Sequence, residues 1–347
     1  MIKRYSSRAV ALVATLAITL IFASMGTFAQ ELKLIRIGTG STGGTYFPVG
    51  GLIANAISNP PGSRDCELGG SCGVPGLIAA AVSTQGSVQN VIEVANGTLD
   101  MALTQADVAY DAYFGKSVFA GEKRLDNLRA VANLFPEAVH LVVRRDSGIK
   151  SVADLKGKRV SLGEKESGTL VVAEIVLNAY GLDKNDVVAF YDKLGKASDM
   201  LAEGKLDGYF MVGGYPINDV SHTAETTEID LVSIMGKEAQ RIREAHPFFS
   251  ADVIPEGTYN GVGGAVTLSV GAQLVVAAEM DADLVYGITR ALWHPNNRKI
   301  LDSGPPNGKQ IELHKALDGV AIPLHPGAAR FYEEAGLIRA GAIRHGQ

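Results

Sequence analysis

Cysteine is scarce in this chain of 347 residues, which contains two cysteines and one tryptophan. Cys66 and Cys72 are farther apart than the Cys-x-x-Cys spacing of a redox site, and no histidine lies near them in the sequence to complete a metal site. In an exported chain such a pair predicts a disulfide that closes a small loop, with free thiols as the alternative. We therefore predict no metal site and no cofactor.

An excess of positive charge is also missing, and so is a long apolar run beyond the amino-terminal segment. The formal net charge is −5, which argues against nucleic acid and against an anionic membrane surface as partners. This balance does not exclude a local positive cleft. No segment after the amino terminus has the roughly 20 apolar residues that a membrane-spanning helix needs.

The motifs of common catalytic sites are absent as well. The sequence has no Gly-x-Ser-x-Gly nucleophile elbow and no His-Glu-x-x-His metal helix. Four of its seven histidines flank a proline or lie near the chain end, as is typical of loop residues. We predict no catalytic residue and no enzymatic activity. The alternative is an exported α/β hydrolase that uses Ser41 or Ser167.

The amino terminus has the order of a secretory signal peptide. Three basic residues, at positions 3, 4 and 8, precede an apolar run over 9–23, and Thr27-Phe28-Ala29 provides small residues for cleavage. We predict a cleaved signal peptide over 1–29 and a periplasmic mature chain, with an uncleaved membrane anchor as the alternative. About 318 residues then remain, enough for two domains.

Alternating strand and helix signals predict the α/β class, and one unit occurs twice. A strand over 32–37 leads into a glycine loop, 38–44, and a helix from Thr45 to about Ser58. A strand over 159–162 leads into a second glycine loop, 163–168, and a helix over 169–180. The repetition predicts two similar α/β lobes.

A second pair of segments repeats in the same order. A helix end and a turn at Gly97 precede a strand over 101–104, and a helix end and a turn at Gly204 precede a strand over 208–212. The loops after these strands begin at Gln105 and Gly213. We predict lobe 1 from 30–138 with 251–347, lobe 2 from 139–250, and a hinge of two crossings with a ligand cleft between the lobes.

The two glycine loops predict an anion site, because the first N–H groups of a helix are unpaired and carry partial positive charge. Hydroxyls of Thr42, Thr45, Ser167 and Thr169 add donors, so that a carboxylate could be held without a buried arginine. The alternative is that both loops are ordinary tight turns. A dinucleotide site, suggested by the glycines at 38, 40 and 43, lacks an acidic residue after the next strand.

Several segments together resemble the TAXI family, the extracytoplasmic solute receptors associated with TRAP transporters. The resemblance rests on 37–48 (IGTGSTGGTYFP), 104–110 (TQADVAY), 140–148 (HLVVRRDSG), 151–160 (SVADLKGKRV) and 322–328 (IPLHPGA). It covers nearly the whole mature chain. It implies a type II periplasmic binding-protein fold and, as partner, the membrane subunits of a TRAP transporter.

The resemblance also implies a ligand similar to glutamate, glutamine or 2-oxoglutarate. The ligand contacts predicted from the loops and the resemblance are Thr42, Gly43, Gly44, Thr45, Tyr46, Gln105, Asp107, Ser167, Gly168, Thr169 and Gly213. Glu164 and Glu166 depart from the family pattern in the second loop and disfavour a plain anion, so that a zwitterion is also expected to fit. A receptor of an ATP-driven importer shares the fold and is the alternative function.

Overall fold

The computed structural model describes residues 32–339, and the predicted signal peptide lies outside them. Helices of one turn or more in this range, 3-10 turns aside, are α1 (Tyr46–Ile57), α2 (Ser87–Ala95), α3 (Ala106–Phe114), α4 (Gly168–Ala179), α5 (Leu194–Ala202), α6 (Asn218–Thr226), α7 (Gly236–Ala245), α8 (Ala282–Leu292), α9 (Arg298–Asp302), α10 (Asn307–Gln310) and α11 (Pro326–Glu334). Across residues 32–339, none of the helices is both long and apolar enough to cross a bilayer.

The strands alternate with these helices, as the sequence predicts. They are β1 (Lys33–Gly38), β2 (Ser58–Asn59), β3 (Val74–Pro75), β4 (Leu77–Val82), β5 (Met101–Gln105), β6 (Leu128–Arg144), β7 (Arg159–Ser161), β8 (Val188–Phe190), β9 (Gly208–Gly213), β10 (Ile229–Leu231), β11 (Ser250–Ile254) and β12 (Ala265–Ala277). The main sheet has the order β4-β1-β5-β12-β6-β9-β7-β8, with β10 beside β6 and β11 beside β12.

Two long antiparallel strands, β6 and β12, form the centre of this sheet. The 17 residues of β6 extend over about 55 Å. Its first part pairs with β12, and from Ala138 onward it pairs with β9. Likewise, β12 pairs with β11 through Ser269 and with β5 from Ala272. Each strand therefore serves two sets of neighbours along its length.

Two large hydrophobic cores lie on either side of the point where β6 and β12 change their neighbouring strands. One large cluster packs α1, α8 and α11 against β1, β5 and the second part of β12, around Ile37 and Phe135. Another packs α4 and α7 against β7 and β9, around Val172 and Phe210. The predicted lobe boundaries, 138/139 and 250/251, fall where β6 changes partners and where β11 begins. They remain predictions.

The repeated units of the sequence fold as strand, glycine loop and helix. The helices expected over 45–58 and 169–180 form as α1 and α4, and the turns at Gly97 and Gly204 have φ of 74° and 70°. Only glycine adopts this left-handed backbone without strain. Cys66 and Cys72 form a disulfide. The α/β class predicted from the sequence is confirmed.

Two adjacent glycines in α1 provide a test of the packing. A methyl group at Gly51 meets nothing within 4 Å, so Gly51→Ala should stabilise the protein by about 0.5–1 kcal/mol through helix propensity. A methyl group at Gly50 would lie 2.5 Å from Thr39 Cγ2, so Gly50→Ala should lower the free energy of unfolding by about 1–3 kcal/mol. Urea denaturation measures both. Equal effects of the two variants would contradict the packing of α1 on β1.

Candidate functional site

A cavity of about 60 Å³ lies where the glycine loops meet. At 10–15 Å³ for each water, it has room for about four to six water molecules, which is the size of a small solute. Its walls come from the first loop, the starts of several helices, the middle of β6 and the second loop. The lining includes Gly40, Ser41, Gly44, Thr45, Tyr46, Gln85, Gly86, Ser87, Gln105, Glu137, Ser161, Gly163, Glu164, Ser167, Gly168, Thr169, Asp192, Leu194 and Met211.

Five helices begin at this cavity. It is lined by the residues that precede α1, α2, α3 and α4, namely Thr45, Gly86, Gln105 and Ser167, and by Leu194, the first residue of α5. Each helix start has N–H groups without an intrahelical partner and a partial positive charge. The cavity can therefore stabilise negative charge on a solute without a cationic side chain.

Glycine allows the helix starts to approach each other closely. A methyl group on Gly168 would lie 2.1 Å from Gln105 Oε1 and 2.9 Å from Ser87 Oγ. These short distances show that the starts of α2, α3 and α4 lie close together at Gly168, where only a hydrogen atom fits. Gly43, in the first loop, leaves space that the Asp219 carboxylate occupies. A side chain at either position would displace the neighbouring polar group.

Hydrogen bonds between distant parts of the chain close the cavity. Ser41 Oγ donates to Glu164 Oε1 at 2.9 Å, and Thr45 Oγ1 donates to the Gly214 carbonyl at 2.8 Å. The Asp219 N–H donates to the Gly43 carbonyl at 3.2 Å. The first glycine loop is thus bonded directly to loops that follow β7 and β9.

The acidic residues of the site are unusual, because no Lys, Arg or His among residues 32–339 lines the cavity. Glu137 is buried, and Tyr46 donates its hydroxyl hydrogen to Glu137 Oε2 at 2.6 Å. Burial raises the pKa of Glu137 well above its usual value, and the nearby Asp107 raises this pKa further. Burial also raises the pKa of Asp107 to about 7.

Two buried polar atoms of the lining have no protein partner among residues 32–339. They are Gln105 Oε1 and Ser161 Oγ. Unpaired buried polar groups are rare in folded proteins and are costly, so each calls for an explanation. Their position in the wall of the cavity makes both atoms available to a bound solute.

Seven of the eleven ligand contacts predicted from the sequence lie in the cavity wall: Gly44, Thr45, Tyr46, Gln105, Ser167, Gly168 and Thr169. The other four lie outside it. Thr42 is exposed, Gly43 contacts Asp219, Gly213 packs against Thr45 and Ile217, and Asp107 is buried in the first turn of α3. The role of all eleven in ligand binding remains a prediction.

Several residues of the wall were missed by the sequence reasoning. Glu137 lies in the interior of a long strand, where no local pattern marks it. Ser161 ends β7, and Ser87 follows Gly86 at the start of α2, a glycine-serine step that could have been identified as a third helix start. Glu164 was noticed as a departure in the second loop, but its hydrogen bond with Ser41 was not predicted.

Comparison with known proteins gives the family and the fold. The model of the NMT1-like family matches residues 37–336. A similar structure is PhnD1 from Prochlorococcus marinus in complex with methylphosphonate, at 11% identity and a TM-score of 0.50, covering 88% of this chain and 99% of that one. The alkanesulfonate-binding protein SsuA from Xanthomonas axonopodis pv. citri, bound to MOPS, is 14% identical with a TM-score of 0.45, and the match covers 91% of this chain and 83% of that one.

The predicted two-lobed periplasmic binding-protein fold is confirmed. The prediction that the chain is not an enzyme is also confirmed.

The assignment to the TAXI family is wrong, because the family model that matches residues 37–336 is the NMT1-like one. Two further predictions followed from that assignment and are wrong with it: the TRAP membrane subunits as partner and a carboxylate as ligand. The physical reason is that the segments behind the assignment belong to elements of the fold: the first glycine loop, the junction of β5 and α3, β6, the turn before β7 and the start of α11. Such segments mark the fold and not the transporter.

The raised pKa of Asp107 predicts how stability depends on pH. Since the folded chain holds this proton up to about pH 7 and the unfolded chain releases it near pH 4, stability is lost as the pH rises between these values. Asp107→Asn cannot titrate. The free energy of unfolding of Asp107→Asn, relative to that of wild type, should therefore rise by on the order of 3–4 kcal/mol from pH 4 to pH 8.

Urea denaturation at unit pH steps measures this difference. Asp126→Asn, at an exposed aspartate, is the matched control and should run parallel to wild type. Parallel curves for Asp107→Asn and wild type would show that Asp107 is ionised in the folded protein.

Proposed function

We propose that this chain, which belongs to the NMT1-like family, is the periplasmic solute receptor of an importer and binds a small phosphonate or sulfonate. The observation that carries the proposal is the cavity at which five helices begin and whose wall, in the part of the chain that the structure describes, has no cationic side chain. A tetrahedral head with three oxygens can accept hydrogen bonds from more than one helix start at once.

The size of the cavity supports the same class of ligand. Space for about four to six water molecules suits a head group with a short substituent. Methylphosphonate, the ligand of the similar Prochlorococcus protein, has five non-hydrogen atoms and is of this size. As partner we propose the membrane subunits of an ATP-driven importer, which is the alternative function given by the sequence analysis. The basic, apolar and small-residue segments at positions 3–29 support a periplasmic location.

Calorimetric titration of the mature chain with methylphosphonate and methanesulfonate tests this function. We expect one site per chain for at least one of them, with the compound recovered unchanged. At 100 times its Kd, the ligand should add about 2.7 kcal/mol to the free energy of unfolding. Absence of binding by both compounds, and by other small oxyanions, would refute the proposal.

Gly168→Ala tests whether this cavity is the site. The added methyl group would lie 2.1 Å from Gln105 Oε1, so the Gln105 side chain, which lines the cavity, must move. We expect the fold to persist and the affinity for the bound oxyanion to fall at least tenfold. Gly51→Ala, a glycine of α1 outside the cavity wall, is the control and should bind as wild type does. Equal affinities of all three proteins would place the ligand elsewhere.

A further inference from the structure

The Cys66–Cys72 disulfide lies next to a histidine from a distant part of the chain. The two sulfur atoms and a ring nitrogen of His294 all lie within 4.8 Å of one another. The three residues are half-buried, and none of them lines the solute cavity. The sequence has no histidine near the cysteines, so the fold supplies the third ligand for a thiophilic metal ion.

The loop that carries both cysteines is held by hydrogen bonds that do not depend on the disulfide. The Cys72 N–H donates to Asn297 Oδ1 at 2.9 Å. In turn, Asn297 Nδ2 donates to the carbonyls of Ala56 and Ala291, at 2.9 and 2.7 Å. Asn297 is fully buried and lies three residues after His294. One anchor therefore fixes both Cys72 and the turn that carries His294, whether or not the two sulfur atoms are joined.

The donors next to the disulfide suit a sulfur that carries negative charge. Asn296 Nδ2 donates to Cys66 Sγ at 3.6 Å, and the Asn296 N–H donates to His294 Nδ1 at 3.2 Å. A hydrogen bond from an amide to sulfur favours the thiolate, which is the form that binds metal ions. The bond to His294 is at the long end of the normal range, and a metal ion on the imidazole can replace it.

We infer that Cys66, Cys72 and His294 form a redox-gated site for Zn²⁺ or a similarly thiophilic ion, which the disulfide excludes and the dithiol binds. Two thiolates and an imidazole provide three ligands of a tetrahedral ion and leave the fourth position to water. With Zn–S bonds of about 2.3 Å, tetrahedral ligand atoms lie about 3.8 Å apart. The span of 4.8 Å in the folded chain requires only a small adjustment. The site is separate from the solute cavity and goes beyond the receptor function.

The change from disulfide to metal site needs a reductant, for which we propose a dithiol, as thioredoxin-like proteins present it. One thiolate of the dithiol attacks a sulfur of the pair and breaks the Cys66–Cys72 bond, and the second thiol releases the mixed disulfide. Two electrons and two protons pass to the protein, and the dithiol leaves as a disulfide. Binding of Zn²⁺ then releases the two thiol protons to solvent. Because the cysteines are only six residues apart, their disulfide constrains the unfolded chain little, and we expect the dithiol form to stay folded.

Zinc titration of the mature chain in its two redox states tests the inference. The protein is reduced with a water-soluble phosphine, freed of reductant without air, and compared with the disulfide form by calorimetry. We expect one Zn²⁺ per reduced chain, and binding at least 100-fold weaker to the disulfide form. With Co²⁺ as the probe, a sulfur-to-metal charge-transfer band should appear in the reduced form alone.

Three outcomes of this titration would overturn the inference. They are equal binding by both forms, no binding by the reduced chain, and loss of the circular dichroism of the folded chain on reduction. The last result would contradict the inference because the site requires the hydrogen bonds of Asn297 to hold the loop without the disulfide.

His294→Asn separates a three-ligand site from binding by the two cysteines alone. Asparagine can still cap the turn over 295–297, but loss of the imidazole should lower the zinc affinity of the reduced chain at least tenfold. His314→Asn, at an exposed histidine near Glu312, is the matched control and should bind as wild type does. Equal zinc affinities of the two variants would show that His294 is not a ligand. If His294→Asn does not fold, the comparison of the two redox states of wild type still decides.

Discussion

The pairing of β6 with β12 is the interaction on which the rest of the structure depends. Both strands run through the sheet past the point where their other neighbours change, near Ala138 and Ser269. Their shared register fixes how the strands that lead into the glycine loops lie relative to each other. Because Glu137 is the residue next to this point in β6, the same register also delivers the buried carboxyl group to the cavity. A slip of one residue would turn Glu137 to the opposite face of the sheet.

The positive electrostatic potential of the site comes from backbone N–H groups and not from charged side chains. Five helix starts supply partial positive charge that cannot be deprotonated and needs no side-chain ordering. No Lys, Arg or His among residues 32–339 lines the cavity, so the positive potential of its wall comes from the backbone.

Much of the fold was predictable because its signals are local. A strand, a glycine loop and a helix leave a pattern within about 25 residues, and both such units were found with their helix limits correct to about one residue. The site was predictable where it consists of those loops, as at Thr45, Ser167 and Gly168, and at Gln105, where a predicted strand ends. Glu137 and Ser161 were missed because their meeting depends on pairing between strands far apart in the sequence. The family was misassigned for a related reason, since loop motifs describe how an anion is held and not which transporter receives it.

Closure of the cavity and recognition of the solute use the same loops. Ser41 and Thr45 bond across to Glu164 and Gly214, and these bonds bring the helix starts close enough to share one solute. In this arrangement Gln105 Oε1 is buried and has no donor among residues 32–339. An unpaired buried polar group costs about 1–3 kcal/mol, a substantial fraction of what the few closing hydrogen bonds contribute. A solute that pairs this group removes the cost, so it favours the closed arrangement by its differential affinity for that state.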